Sequence, residues 1–317
     1  MRPLDRRWLI VLFVIFFGLT FIAFPRFGRL ILRTIAPAPT PTLRPTLSPL
    51  PPLNMSILAE MHNGQSLMLR EFIQSGRCRH LYLDMGSNIG VQIRKLYQPE
   101  GYPKAAVLPI FDSFFGAMRN SVCAVGFEAN PHHTKRLTAL QESFRSAGFP
   151  CVIFTNSAVS RQSGTVDFYL DTSNNHEQLG ASVLPWLQNG AKVTAISLHM
   201  NTFINALIQD WRKSPAYSKD SKVVAKMDIE GAEFDVLPDM LHGQSLCAFD
   251  MMFVEFHHWF APLAPKDFND KSLNFLLSKM ENCKASLSVL DDESYVDDNG
   301  TPLPKPLQSK VAVLRRM

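Results

Sequence analysis

His80-Leu81-Tyr82-Leu83-Asp84-Met85-Gly86-Ser87-Asn88-Ile89-Gly90 is the stretch on which the fold turns. A short, mostly apolar run ends at a glycine, and a helical pattern from Ile89 to Tyr97 follows. That order, buried strand, tight turn, helix, is the opening of a β-α-β unit. The turn reads D-x-G-x-x-x-G. Its glycines let the backbone bend sharply and approach a ligand closely. A helix N-terminus beyond them offers free N–H groups to an anion. The G-x-G-x-x-G dinucleotide fingerprint is absent, which disfavours a pyrophosphate cradle and an NAD-dependent oxidoreductase. A smaller anion, such as an amino-acid carboxylate, fits the pattern better; an ordinary strand-helix turn is the plain alternative.

Outward from this stretch, strands alternate with helices. Strands are expected at 123–128, 151–155, 165–170, 193–198, 223–228, 251–256 and 287–290, with 311–314 as a further closing strand. Helices are expected at 131–147, 201–212, 231–241 and 271–282. Such repetition predicts an α/β, doubly wound, Rossmann-like sheet whose ligand site lies at the carboxyl ends of the strands. The segment 99–120, rich in aromatics and proline, lengthens the first crossover and is expected to form part of a lid.

The chemically suggestive residues fall at those strand ends. Glu128 closes the second strand in Phe127-Glu128-Ala129-Asn130-Pro131, where a carboxylate can accept both hydroxyls of a ribose. Asn156, Ser157 and Ala158 follow the third strand as small residues suited to lining an adenine pocket, or as a plain loop. Lys226-Met227-Asp228-Ile229-Glu230-Gly231-Ala232-Glu233 crowds three acids and a lysine at a strand end and helix start. The helix dipole accounts for Glu230 and Glu233, whereas Asp228 is expected to point into the cleft. His257 and His258 close the strand after it.

Together these motifs resemble the S-adenosylmethionine-dependent methyltransferases of the FkbM type, over roughly residues 81–258. YLDMGSNIG is similar to the family's cofactor loop, VGFEANP to its ribose-binding acid, and NSAVS with GTVDFY to its third-strand and hairpin region. KMDIEGAEFDVL is similar to its most distinctive block, and FVEFHH to its fifth-strand end. The resemblance implies a Rossmann-like methyltransferase sheet with S-adenosylmethionine as cofactor. It implies Asp84, Gly86, Ser87, Asn88, Gly90, Glu128, Asn156, Ser157 and Ala158 as cofactor-binding residues. It also implies methylation of a hydroxyl or carboxyl oxygen, on a sugar or another small-molecule or glycan acceptor. One departure is visible: His199 stands where the family usually has an acid. The polar segment His176–Ser182 is a candidate for facing cofactor or acceptor, or a surface turn.

An alcohol is a poor nucleophile while protonated, so a positioned base is expected, with Asp228, His257 and His258 as candidates. Two alternatives stay open. Glu230, Glu255 and the histidines can hold a divalent ion that acidifies the acceptor, or alignment alone suffices. No metal site is assigned. A non-catalytic binding protein that keeps the fold is the rival reading. Nucleic acid is not expected as a partner, because the strand end reads Asp228-Ile229-Glu230-Gly231 rather than an Asn/Asp-Pro-Pro-aromatic tetrapeptide.

Charge agrees. The 317 residues carry net +4, but residues 1–53 alone hold +6, in seven arginines against Asp5, which leaves −2 for the rest. A basic nucleic-acid face is therefore not indicated. Residues 8–24, WLIVLFVIFFGLTFIAF, form an uncharged apolar run at the short end for a membrane span. The expected order is a short tail (1–7), a transmembrane signal anchor (8–24), a Pro-rich linker (25–53) and the catalytic domain (54–317). A cleaved signal peptide or an organelle presequence are the alternatives; the best small-residue cleavage site, Ala36-Pro37-Ala38, is followed by Pro39. Arginine clusters on both sides barely discriminate orientation. Sequons at Asn54 and Asn299 favour a lumenal domain in the Golgi or endoplasmic reticulum. Five cysteines, none in C-x-x-C, argue against a zinc ribbon. They are expected as small buried residues, with disulfides open to a lumenal domain.

Overall fold

The structure, a computed structural model, describes residues 63–170, 181–182, 191–292 and 302–305. The expected tail, anchor and linker, both sequons, most of the 176–182 segment and the expected strand at 311–314 lie outside the described residues. Among the described residues no helix is long and apolar enough to cross a membrane.

In chain order the elements are α1 (Asn63–Gln74), β1 (His80–Met85), α2 (Val91–Tyr97), α3 (Leu108–Phe115), β2 (Val122–Glu128), α4 (Thr134–Ser146), β3 (Cys151–Thr155), β4 (Ser157–Ser160), β5 (Gly164–Leu170), β6 (Ala181–Ser182), β7 (Ala191–His199), α5 (Met200–Trp211), β8 (Val223–Met227), α6 (Glu233–His242), β9 (Met251–Val254), α7 (Asp270–Leu277) and β10 (Leu287–Val289). Six strands pair in parallel in the order β10-β9-β8-β1-β2-β3. The chain builds outward from β1 to β3, then returns to the other side of β1 with β8. That reversal makes β1/β8 the switch point at which such sheets bind ligands.

Side-chain alternation along β1 assigns the two faces. Leu81, Leu83 and Met85 join the core formed with α1, α5, α6 and α7. Tyr82 joins a second core with α2, α3 and α4. Both faces are covered, which explains why β1, β2 and β8 are buried at every residue.

The second sheet, β4-β7-β5-β6, was only half expected. Its hairpin, β5 against β7, is antiparallel and close to the expected spans. β4 lies at residues read as a loop; it pairs in parallel with β7 and brings Ser157 and Ala158 to the rim of the main sheet. The 99–120 insertion is no lid. Phe111 and Phe115 of α3 are buried, with Phe111 edge-on to Tyr82 and Phe115 against His80, so α3 covers the sheet's face. Its aromatics serve the core.

The structure also supplies two disulfides, Cys78–Cys123 and Cys247–Cys283. Cys151 alone is a free, buried thiol.

If α3 is core, Phe111→Ala removes a fully buried ring and lowers stability by about 3–5 kcal/mol in chemical denaturation. A loss below about 1 kcal/mol, the scale of surface changes, would return the insertion to the surface.

Candidate active site

The site forms where β1, β2 and β8 end together. Past Met85 the chain turns through Gly86 in the left-handed region, φ 86°. The Gly86 and Ser87 amides donate to the Phe127 carbonyl at 3.1 and 2.8 Å, and the Asp228 amide donates to Met85 O at 2.9 Å. A Cβ on Gly86 would run into the Asp228 carbonyl. Any larger residue there therefore breaks the joint between β1 and β8 before it can reach a ligand.

One cavity opens at this joint. Gly86, Asn88, Glu128, Asn130, Ser157, Ala158, Asp228 and Glu230 are on its wall, with Phe127, His133, Val159, Phe168 and Ile229 beside them. Of the expected cofactor residues, Gly86, Asn88, Glu128, Ser157 and Ala158 reach the cavity, and Asp84, Ser87, Gly90 and Asn156 do not line it. Ser87 is structural: its hydroxyl donates to Asp84 O and accepts from Phe127 N. Gly90, φ 88°, lets α2 approach Leu140 of α4 where a Cβ would not fit. Asp84 is fully buried in register with Lys226. Burial pushes its carboxyl up to about 6, against the pull of Lys226.

Glu128 is held from both ends. Its Oε2 accepts from Asn88 N at 2.6 Å and its Oε1 from Asn130 N at 2.7 Å. A carboxylate carries about four acceptor positions, so two remain for donors in the cavity. Burial raises its carboxyl to about 7, opposed by these two amides. Asn130 was not anticipated. It is 1% exposed, its Oδ1 accepts from His132 N, and its Nδ2 has no hydrogen-bond partner among the described residues. The Asn-Pro dipeptide after a strand-end acid was the only available signal.

The opposite wall is acidic. Lys226 Nζ donates to Asp228 Oδ2 at 2.5 Å. Burial opposes the ammonium charge, but Asp228 and Asp84 overcome it and hold the lysine above its ordinary value. Glu233, the first residue of α6, is wholly buried. Its Oε1 accepts from Ile229 N, its Oε2 from Gly231 N, and Oε1 also meets His257 Nδ1 at 3.0 Å. His257 Nε2 then faces Glu255 at 3.2 Å, Glu230 at 3.5 Å and Asp228 at 3.7 Å. Burial by itself lowers the imidazole's affinity for a proton; the bonds to Glu233 and Glu255 reverse this and carry it to about 11. Glu230, at a positive φ of 54°, has its carboxyl raised by burial to about 8, with His257 pulling the other way.

His258 points elsewhere. Its ring lies 4.7 Å from Phe234 and near Phe256, as alternation after a strand requires, so only Asp228 and His257 of the three candidate bases meet. His199 is also accounted for. Its Nε2 pairs with Asp239 at 2.9 Å and its Nδ1 with Thr202, which ties the end of β7 to α6.

A parallel six-stranded sheet with a glycine turn at its switch point and an acid at the end of the neighbouring strand is of the Rossmann-like α/β class. The profile of the methyltransferase FkbM domain matches residues 84–287, and the chain belongs to that methyltransferase family. No curated protein and no solved structure is significantly similar to the chain.

Methyltransferases generally use S-adenosylmethionine, whose ribose hydroxyls are donors that the Glu128 carboxylate can accept. In the free protein this group takes up a proton near pH 7, and protonation costs it acceptor capacity. If Glu128 makes that contact here, affinity for S-adenosylmethionine should rise with pH, about tenfold between pH 6 and 8, on isothermal calorimetry. Glu128→Gln should bind more weakly and lose that dependence; an equal dependence in the variant would remove Glu128 from the contact.

Proposed function

We propose that the protein is an S-adenosylmethionine-dependent O-methyltransferase that acts on a hydroxyl of a sugar or another small-molecule or glycan acceptor. One observation carries this reading: Glu128 and Asp228 face the same cavity from the ends of two strands that flank the glycine turn. The cofactor-side residues fit their group. Glu128 offers spare acceptor positions, the buried Asn130 Nδ2 is a donor awaiting a partner, and Ala158 keeps the wall low beside them.

When bound, the cofactor supplies a methyl group on a sulfonium sulfur, and the reaction exchanges that S–C bond for an O–C bond on the acceptor. Glu128 and Asn130 orient the nucleoside. Asp228 lines the cavity and accepts the hydroxyl proton that the acceptor loses. Lys226 anchors one oxygen of Asp228, which fixes the carboxylate's direction. His257 has its Nδ1 on Glu233 and its Nε2 among three carboxylates, and unlike Asp228 it does not line the cavity, which favours Asp228 over it as the base.

The reading extends to location. A single-pass anchor at residues 8–24 would place the domain in the lumen of the Golgi or endoplasmic reticulum. Its short span suits a thinner early-secretory bilayer, and two disulfides in a domain of this size suit an oxidising compartment.

Asp228→Asn keeps the shape and removes the proton acceptor, so turnover should fall about 10²–10⁴-fold with cofactor affinity nearly unchanged. Near-normal turnover in that variant would make Asp228 structural. For location, the domain should resist protease in sealed microsomes and yield once detergent is added. Digestion without detergent would place it on the cytosolic side.

A further inference from the structure

His257 is 97% covered by protein, and the fully buried Glu233 occupies its Nδ1. The ring is thereby locked with Nε2 directed at three carboxylates that come from two strand ends, Asp228 and Glu230 after β8 and Glu255 after β9. One ligand atom each from Asp228, Glu255 and His257 lies within 4.8 Å of the others. In a regular octahedral shell with metal–ligand bonds near 2.1 Å, neighbouring ligand atoms sit about 3.0 Å apart and opposite ones about 4.2 Å. The 3.2 Å from Nε2 to Glu255 is close to the adjacent spacing, whereas the 3.7 Å to Asp228 lies between the two, so a bound ion would draw that carboxylate inward.

The outer shell has the matching form. A buried carboxylate on the far nitrogen of a histidine is the arrangement that fixes tautomer and direction in metal sites. Here Glu233 supplies it, and two backbone amides hold Glu233 in turn. Asp228 keeps one oxygen on Lys226 and turns the other toward His257. These are not surface acids, since the Asp228 and Glu255 side chains are only 24% and 21% exposed.

From this geometry we infer that Asp228, Glu255 and His257 form a site for one divalent cation, beside the cavity that Asp228 lines. One imidazole nitrogen with two carboxylates favours a transition ion of the Mn²⁺ kind over Ca²⁺ or Mg²⁺, which prefer oxygen alone. The inference rests on the methyltransferase reading only for its purpose. An ion there would take the acceptor's hydroxyl oxygen as a further ligand and weaken its O–H, with Asp228 then serving as a ligand rather than as the free base. It also neutralises charge that Lys226 alone does not balance.

The test uses the full-length chain, stripped with EDTA and titrated with Mn²⁺ while free ion is counted by electron paramagnetic resonance. One saturable ion per chain is expected. Glu255→Gln, isosteric and partly exposed, should weaken it at least tenfold. Glu233→Gln, which leaves all three ligands but frees the imidazole, should weaken it about 10–100-fold. Calorimetry with S-adenosylmethionine on the same samples shows that each variant is folded and tests the methyltransferase reading separately. No saturable Mn²⁺, or equal affinity in folded Glu255→Gln, overturns the cation site and leaves that reading intact. Mn²⁺ bound without any cofactor binding does the reverse.

Discussion

The absence of a side chain at Gly86 governs this structure. There the glycine turn presses against the Asp228 carbonyl, with no room for even a methyl group. Three hydrogen bonds clamp the joint, two from the turn to Phe127 O and one from Asp228 N to Met85 O. Because β1, β2 and β8 are locked at their carboxyl ends, Glu128 on one side and Asp228 on the other are set at a fixed spacing across one cavity. The residues proposed for nucleoside recognition and for proton acceptance are thus carried by one backbone arrangement.

Charge burial is the second constraint. Asp84, Glu128, Lys226 and Glu233 are all buried at this end of the sheet. Burying an ion is tolerated only where partners replace water. Glu128 and Glu233 each have two backbone amides, and Lys226 has Asp228. The acidic wall is then rigid because each member supports its neighbour: Glu233 holds α6 to the strand end and His257 to Glu233. His199, which stands where the family usually has an acid, ties the end of β7 to α6 through Asp239.

Much of this was legible in the sequence. β1 and β3 were expected at the observed limits, and the other main-sheet strands within a few residues, because both faces of a parallel sheet are buried and its strands read as apolar runs. Glu128 and Asp228 were expected at strand ends beside the cleft, and Ser157 and Ala158 as either pocket lining or plain loop; all four line the cavity. The misreadings have physical causes. Asp84 belongs to the same motif as Gly86, but alternation turns it into the interior beside Lys226. His258 shares a dipeptide with His257 and faces the opposite way. Small polar residues hid β4, whose pairing with β7 is a long-range contact without local signal. The aromatics of α3 suggested a lid, because composition does not say which surface a segment covers.

The account is tested most directly by a crystal structure of the protein with S-adenosylhomocysteine. It predicts ribose hydroxyls within hydrogen-bond distance of Glu128, and the sulfur directed toward the end of the cavity that holds Asp228. A ligand bound away from Glu128, or with its sulfur turned from Asp228, would contradict it.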